Sequence, residues 1–409
     1  MDVIKQYLGK QGRVEGLIWD DPRDDLELII VIPAYKEEEI HKTLSSLRSC
    51  ISPNCAVEII VLINGSKKDE HDVVKVNQKC YQVCMEAKAL FECDSRRQYI
   101  LKDLDLPLKK AGVGLARKIL MDEASRRLGM IGKGNGVIVN LDADCTVEQN
   151  YLVEVKEWFD SHPKFDAASI HFEHEIDGPY ILNYELHLRY FIGMQKQVGL
   201  PFAFQTIGSA MASRAISYAK AGGMNTRRAG EDFYFLHKFI KNNKCGKISS
   251  TSIYPSGRQS DRVPFGTGRA VGEMMKGLDY HTYNYKSFVL LKQITDNLPN
   301  FFAQKKVDFD EMLEAYLSTI DFDKRITEIR RNTTNFESFK KRFFQFFDAF
   351  KLMKCLHYLR DRGHQEVSLE EALSYYFNEI NLEFTGVSIN SLKTLRQFDK
   401  KYESSGVQL

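Results

Sequence analysis

The chain has 409 residues, 43% of them hydrophobic, enough to bury the cores of roughly two or three domains. Its 57 basic and 55 acidic residues leave a formal charge of +2, which excludes a global electrostatic pull toward nucleic acid or an anionic membrane. No segment approaches the ~20 apolar residues of a spanning helix and no N-terminal stretch reads as a signal peptide, so the expectation is a cytoplasmic protein. Eight cysteines, at 50, 55, 80, 84, 93, 145, 245 and 355, lack tight metal-ligand pairing and are read as reduced thiols.

Residues 1–25 are polar and mixed and end in Asp20-Asp21-Pro22-Arg23-Asp24-Asp25, which reads as an N-terminal arm. Leu28 to Ile32, closed by Pro33, reads as a buried strand, residues 37–50 fit a helix, and Val57 to Ile63, closed by Asn64-Gly65-Ser66, reads as a second strand. That is a parallel strand, helix, strand unit. A helix near 70–90, a strand near Gln98 to Leu101 and a helix over Gly112 to Leu128 follow, then the apolar run Gly136 to Leu141. Four alternations predict half of a doubly wound α/β sheet.

Asp142-Ala143-Asp144 closes the fourth of these strands. In open α/β sheets ligands bind beyond the carboxyl ends of the strands, so two carboxylates one residue apart there suit a divalent cation and the phosphate it carries. Asp is also a favoured helix N-cap, and Thr146 to Ser161 carries Leu152, Val155 and Trp158 at helical spacing, so Asp144 is expected to cap that helix as well.

Beyond residue 165 a strand is expected at Ala167 to Ile176, a helix near Tyr180 to Val198 and another from Ala229 to Asn242. Alternation puts His171 and Glu173 on one face of that strand, as candidates to line a cleft, and His174 on the other as a core histidine. Ser256 to Arg269 is dense in glycine and arginine, a composition that closes over charged ligands. From about 270 the chain reads as helices, with Phe339, Phe343, Phe346, Phe347 and Phe350 at helical spacing as one buried stripe and Ser368 opening a capping box. Lys340, Lys341, Arg342, Lys351 and Lys354 flank that stripe and raise a second reading, peripheral contact with the cytoplasmic membrane face.

Val31-Ile32-Pro33-Ala34-Tyr35-Lys36-Glu37-Glu38-Glu39, then Asn64-Gly65-Ser66, then Asp142-Ala143-Asp144, then Glu231-Asp232 follow the order and rough spacing of family-two inverting glycosyltransferases of the GT-A fold. The chain resembles that family from about residue 26 to 265. The resemblance implies a GT-A type doubly wound mixed sheet with helices on both faces, plus a C-terminal helical region. It divides the chain into an arm (1–25), a glycosyltransferase domain (nucleotide-binding half 26–150, acceptor half 151–269) and the helical region (270–409).

Carried across residue by residue, the resemblance places Pro33, Ala34, Tyr35 and Glu37 along the nucleoside pocket. Asn64, Gly65 and Ser66 stand where the family usually has an aspartate that reads the base, and asparagine offers both a donor and an acceptor. Gly114 and Arg117, in Gly112-Val113-Gly114-Leu115-Ala116-Arg117, match the segment that helps hold the nucleotide. Asp142 and Ala143 are expected to meet the ribose or the ion and Asp144 with Asp142 to bind Mn²⁺ or Mg²⁺ on the diphosphate, while the arginine- and glycine-rich composition of Ser256 to Arg269 puts Arg258 and Arg262 at diphosphate or an anionic acceptor. Asp232, beside Glu231, matches the catalytic base, with Gly208-Ser209-Ala210-Met211-Ala212 and Gly222-Gly223-Met224 as the family's run-up to it. As first-turn acids these two also suit a helix dipole without chemistry.

The implied reaction is metal-assisted single displacement from a nucleotide-sugar donor, UDP-linked, to a hydroxyl of a glycan, a lipid-linked or a small-molecule acceptor. Beyond Trp19 and Trp158 there is no tryptophan for the Q-x-x-R-W motif of processive relatives, so a non-processive enzyme is expected. The alternatives are a retaining transferase on the same fold and a catalytically silent nucleotide-sugar-binding protein. Oligomeric state is open.

Overall fold

A computed structural model of the protein describes residues 2–12, 15–91, 95–107, 111–259, 266–277 and 280–404. The chain divides into two compact units, one of residues 1–175, 206–239 and 243–268 and the other of 176–205, 240–242 and 269–409.

The first unit contains, in chain order, α1 (Val3–Lys10), β1 (Leu26–Ala34), α2 (Ile40–Arg48), β2 (Ala56–Asn64), α3 (His71–Phe91), β3 (Arg96–Asp103), α4 (Val113–Met130), β4 (Val137–Asn140), β5 (Thr146–Val147), α5 (Tyr151–Ser161) and β6 (Ala167–Phe172). After α6 (Pro179–Gln197), which belongs to the second unit, it resumes with β7 (Met211–Arg214), α7 (Ala215–Lys220), α8 (Glu231–Ile240) and β8 (Cys245–Tyr254). One eight-stranded mixed sheet results, in the order β3-β2-β1-β4-β7-β6-β8-β5.

β1, β2, β3 and β4 run parallel, and Leu28 to Ile32 of β1 are fully buried, the continuous apolar run of a strand covered on both faces. Because parallel crossovers are right-handed as a rule, stepping outward from β1 to β2 to β3 puts α2 and α3 on one face, where they pack together. The chain then jumps back across β1 to β4, which sends α4 to the opposite face. That reversal makes a switch point between the carboxyl ends of β1 and β4, the place where such sheets bind ligands. The doubly wound mixed sheet implied by the family resemblance is thus the observed one.

Several local expectations change. Residues 3–10, inside the expected arm, form a helix because Ile4, Tyr7 and Leu8 share one face, which packs on α4 and α7. There the Tyr7 hydroxyl donates to Asp122 at 2.8 Å. The strand expected to reach Ile176 ends at Phe172. The helix after Asp144 begins only at Tyr151, because β5 intervenes, so Asp144 is not its cap.

The second unit adds to α6 the elements α9 (Thr267–Met275), β9 (His281–Thr282), α10 (Tyr285–Asp296), α11 (Leu298–Phe302), α12 (Glu311–Thr319), α13 (Phe322–Arg331), α14 (Phe336–Phe346), α15 (Ala349–Arg362), β10 (Val367–Ser368), α16 (Leu369–Glu379) and α17 (Ile389–Ser404). Phe339, Phe343, Phe344 and Phe347 are buried in its core, whereas Phe350 is 46% exposed. The stripe breaks there because the helix does: α14 stops at Phe346, and Asp348 caps a new helix by accepting from the Lys351 N–H at 3.0 Å. A buried charge cluster ties α6 to α17, with Arg189 and Arg396 both donating to Glu185 and Arg189 reaching Asp399 at 2.7 Å. Among the described residues no helix is long and apolar enough to cross a membrane.

Candidate active site

At the end of β1 the chain turns through Tyr35, Lys36 and Glu37. Lys36 takes a left-handed φ of 50°, uncommon for a side chain with a Cβ, and its N–H donates to the buried Asn77 Oδ1 at 2.9 Å. Asn77 also donates to the Asn64 carbonyl at 3.2 Å, so one amide ties the exits of β1 and β2 together. Asn64 and Ser66 are buried there with it. Asp69 folds back over this corner, accepting from the Ser66 N–H at 2.8 Å, the Ser66 hydroxyl at 3.0 Å and the Tyr35 hydroxyl at 3.3 Å. Sequence reasoning misses Asp69 and Asn77. The Ser66-Lys67-Lys68-Asp69 spacing, which suits reciprocal side-chain to backbone bonding, is the available signal for Asp69.

The turn after β4 is fixed by its backbone. Leu141 N–H donates to the Val31 carbonyl at 3.1 Å, the Thr43 hydroxyl to the Ala143 carbonyl at 2.8 Å, and Cys145 N–H to the Asp142 carbonyl at 3.1 Å. Ala143 points inward and is buried, leaving the side chains of Asp142 and Asp144 35% and 22% exposed. Each carboxylate faces an arginine. Arg117 of α4 pairs with Asp142 and also with Glu231, the first residue of α8. Arg258 pairs with Asp144 at 3.1 Å and with Glu37.

Arg117 is almost wholly buried. Burial works against its charge, but Asp142, Glu231 and Asp232 outweigh that and hold it cationic. Two glycines allow close approach here. A Cβ on Gly208 would lie 2.4 Å from the Arg117 guanidinium, and one on Gly114 would lie 2.1 Å from the Arg227 carbonyl, so the loop before α8 rests directly on the first turn of α4. Asn225 secures the far end of that loop by donating to the Glu231 carbonyl at 2.9 Å.

Among the acids gathered here, Asp232 is pushed far from its ordinary titration. Burial first, and then the neighbouring Glu231 charge, raise its carboxyl to about 7, with Arg117 pulling the other way. His171 Nε2 and the Glu173 carboxylate lie 3.1 Å apart at the end of β6, the pairing their shared face implied, while His174 is buried against Phe172. Arg262 falls outside the described residues.

The carboxylates fit a hard divalent cation: the donors are oxygens, and the Arg258 guanidinium already shows that positive charge is accommodated at Asp144. Among the described residues no three His, Cys, Asp or Glu side chains gather as a closed cage.

Residues 29–218 match the family described as glycosyl transferase family 2. Among solved structures the chain is similar to S. aureus TarS 1-349 in complex with UDP, at 13% identity over 87% of this chain and 91% of that one, with a TM-score of 0.39. It is similar also to S. aureus TarS 1-349 in complex with UDP-GlcNAc, at 12% identity over 93% and 92%, with the same TM-score of 0.39. No curated protein matches it.

Proposed function

We propose, from the match of residues 29–218 to glycosyl transferase family 2, that the protein inverts the anomeric centre of a nucleotide-diphosphate sugar while passing the sugar to an acceptor hydroxyl. One observation carries the reading: Arg117 joins the acid pair after β4 to the acid pair opening α8, at the switch point of the sheet. A donor-side site and a candidate base therefore share one rigid, buried cation.

On the donor side, Pro33, Ala34, Tyr35 and Glu37 from the end of β1 and Asn64, Gly65 and Ser66 from the end of β2 form the nucleoside wall. UDP is the proposed nucleotide, with Asn64 and Asp69 offering hydrogen-bonding partners at the base. Asp144 and Asp142 would hold a divalent cation, Mn²⁺ or Mg²⁺, which when bound would supply Lewis-acid neutralisation of the departing diphosphate. Arg258 adds guanidinium hydrogen bonds to the same leaving group.

On the acceptor side Asp232 is the general base. A carboxylate whose proton leaves near pH 7 is well matched to removing a hydroxyl proton as that hydroxyl attacks. Glu231 plays a different part. Buried and paired with Arg117, it anchors the first turn of α8 and keeps Asp232 in register. Gly114 keeps the preceding loop in place by leaving space for the Arg227 carbonyl.

A thermal-shift screen of nucleotide sugars with and without Mn²⁺ tests the donor half, because a ligand bound only to the native state raises its melting temperature by mass action. A UDP-sugar whose stabilisation requires Mn²⁺ supports the reading; equal shifts with and without the ion contradict the metal assignment.

A further inference from the structure

Arg258 holds two carboxylates with one end of its side chain. Nη2 donates to Glu37 Oε2 and, at 3.1 Å, to Asp144 Oδ2. The two acids differ in setting. Glu37 is 1% exposed and also accepts from the Glu39 N–H at 3.0 Å, so it is a fixed post, whereas Asp144 is more open and Arg258 itself is 31% exposed. Burial disfavours the Arg258 charge, and the two acids restore it. The guanidinium thus occupies one of the two Asp144 oxygens available to a divalent ion and places its positive charge beside the other.

We infer that Arg258 is a tethered cation that alternates with the metal. Without donor it closes on Asp144, anchored by Glu37, and keeps the carboxylates compensated. When the ion arrives with the diphosphate, Arg258 exchanges one anionic partner for another, leaving Asp144 to the ion and turning to the phosphate oxygens. A cation thus faces Asp144 at both stages. The consequence is ordered loading: metal alone binds weakly, since the arginine must first be displaced, and metal with diphosphate binds well. This inference rests on the assignment of Asp144 as a metal ligand.

The test is Mn²⁺ affinity without nucleotide, read from the free-ion electron paramagnetic resonance signal, for the wild-type chain and Arg258→Ala, Glu37→Gln and Asp144→Asn. Arg258→Ala should bind Mn²⁺ about tenfold more tightly, the gain from a latch closed about nine-tenths of the time. Glu37→Gln should also bind more tightly, because it loosens the anchor. A bystander charge predicts the opposite there, since removing a negative charge weakens cation binding. Wild-type affinity in Arg258→Ala, or weaker binding in Glu37→Gln, overturns the latch while loss of binding in Asp144→Asn leaves the metal assignment standing. Absence of Mn²⁺ binding in every protein, with UDP added as well, overturns both.

Discussion

Arg117 and Glu231 are paired in the interior, and the same guanidinium reaches Asp142. This places one buried positive charge between two halves of the site that are far apart in sequence. Removing it leaves two acids with a lost partner, and breaking a buried ion pair from one side costs roughly 3–5 kcal/mol. Arg117→Ala should therefore show a large drop in urea midpoint. Arg117→Lys keeps the charge but not the fork that spans two carboxylates, so it should fold and lose most of its turnover. A lysine variant with full activity would mean that bridging is unimportant.

Asp232 must be ionised to accept a proton, and its carboxyl titrates at about 7. Turnover per unit of donor should then fall about tenfold per pH unit below 7 and level off above it. The measurement is kcat/KM against pH over roughly 5 to 9, with circular dichroism confirming a folded protein throughout.

The same shift has a stability consequence of known sign. A folded-state value raised from 3.8 to about 7 means that the native state favours the protonated acid. That contribution is fully present below pH 3.8 and is lost as pH rises through 7, where the ionised group is held in an unfavourable setting. Asp232→Asn removes the ionisation, so its melting temperature should exceed the wild-type value at pH 8 and converge with it toward pH 4. An unchanged difference across that range would remove burial as the cause of the shift.

Gly114 and Gly208 offer a steric test. A Cβ at either would fall at 2.1 Å or 2.4 Å from the Arg227 carbonyl or the Arg117 guanidinium. Overpacking typically costs about 1–3 kcal/mol, and here the strain is directed at the loop before α8 and at the bridging arginine. Gly114→Ala should lower kcat more than it raises the donor KM, because it moves the loop that leads into α8 and Asp232; steady-state kinetics with varied donor separates the two.

What can be read from the sequence follows from where its pattern is strong. β1, β2 and β4 are largely apolar runs, and they are buried along almost their whole length. β7 and β8 do not stand out. Met211-Ala212-Ser213-Arg214 is short and small, and the Ser249 to Ser252 stretch of β8 looks polar although Thr251 and Ser252 are buried. In the site, the order of acidic motifs points to Asp142, Asp144, Glu231 and Asp232, but spacing alone does not reveal that Arg117 and Arg258 neutralise them. Those pairings come from residues 25, 114, 114 and 221 positions apart, and Asp69 and Asn77 reach the end of β1 from the segment before α3 and from α3 itself, 34 and 41 positions away. Phe350 belongs to the core stripe only if one helix runs unbroken through Phe347, where the chain in fact stops and restarts.

The most direct measurement follows the anomeric proton by NMR while the protein consumes the nucleotide sugar chosen by the thermal-shift screen, with Asp232→Asn in parallel. Displacement from one side with Asp232 as base predicts a first product of opposite anomeric configuration from wild type and none from the variant, although the variant still binds donor. Product of retained configuration, or equal rates from the two proteins, would contradict it.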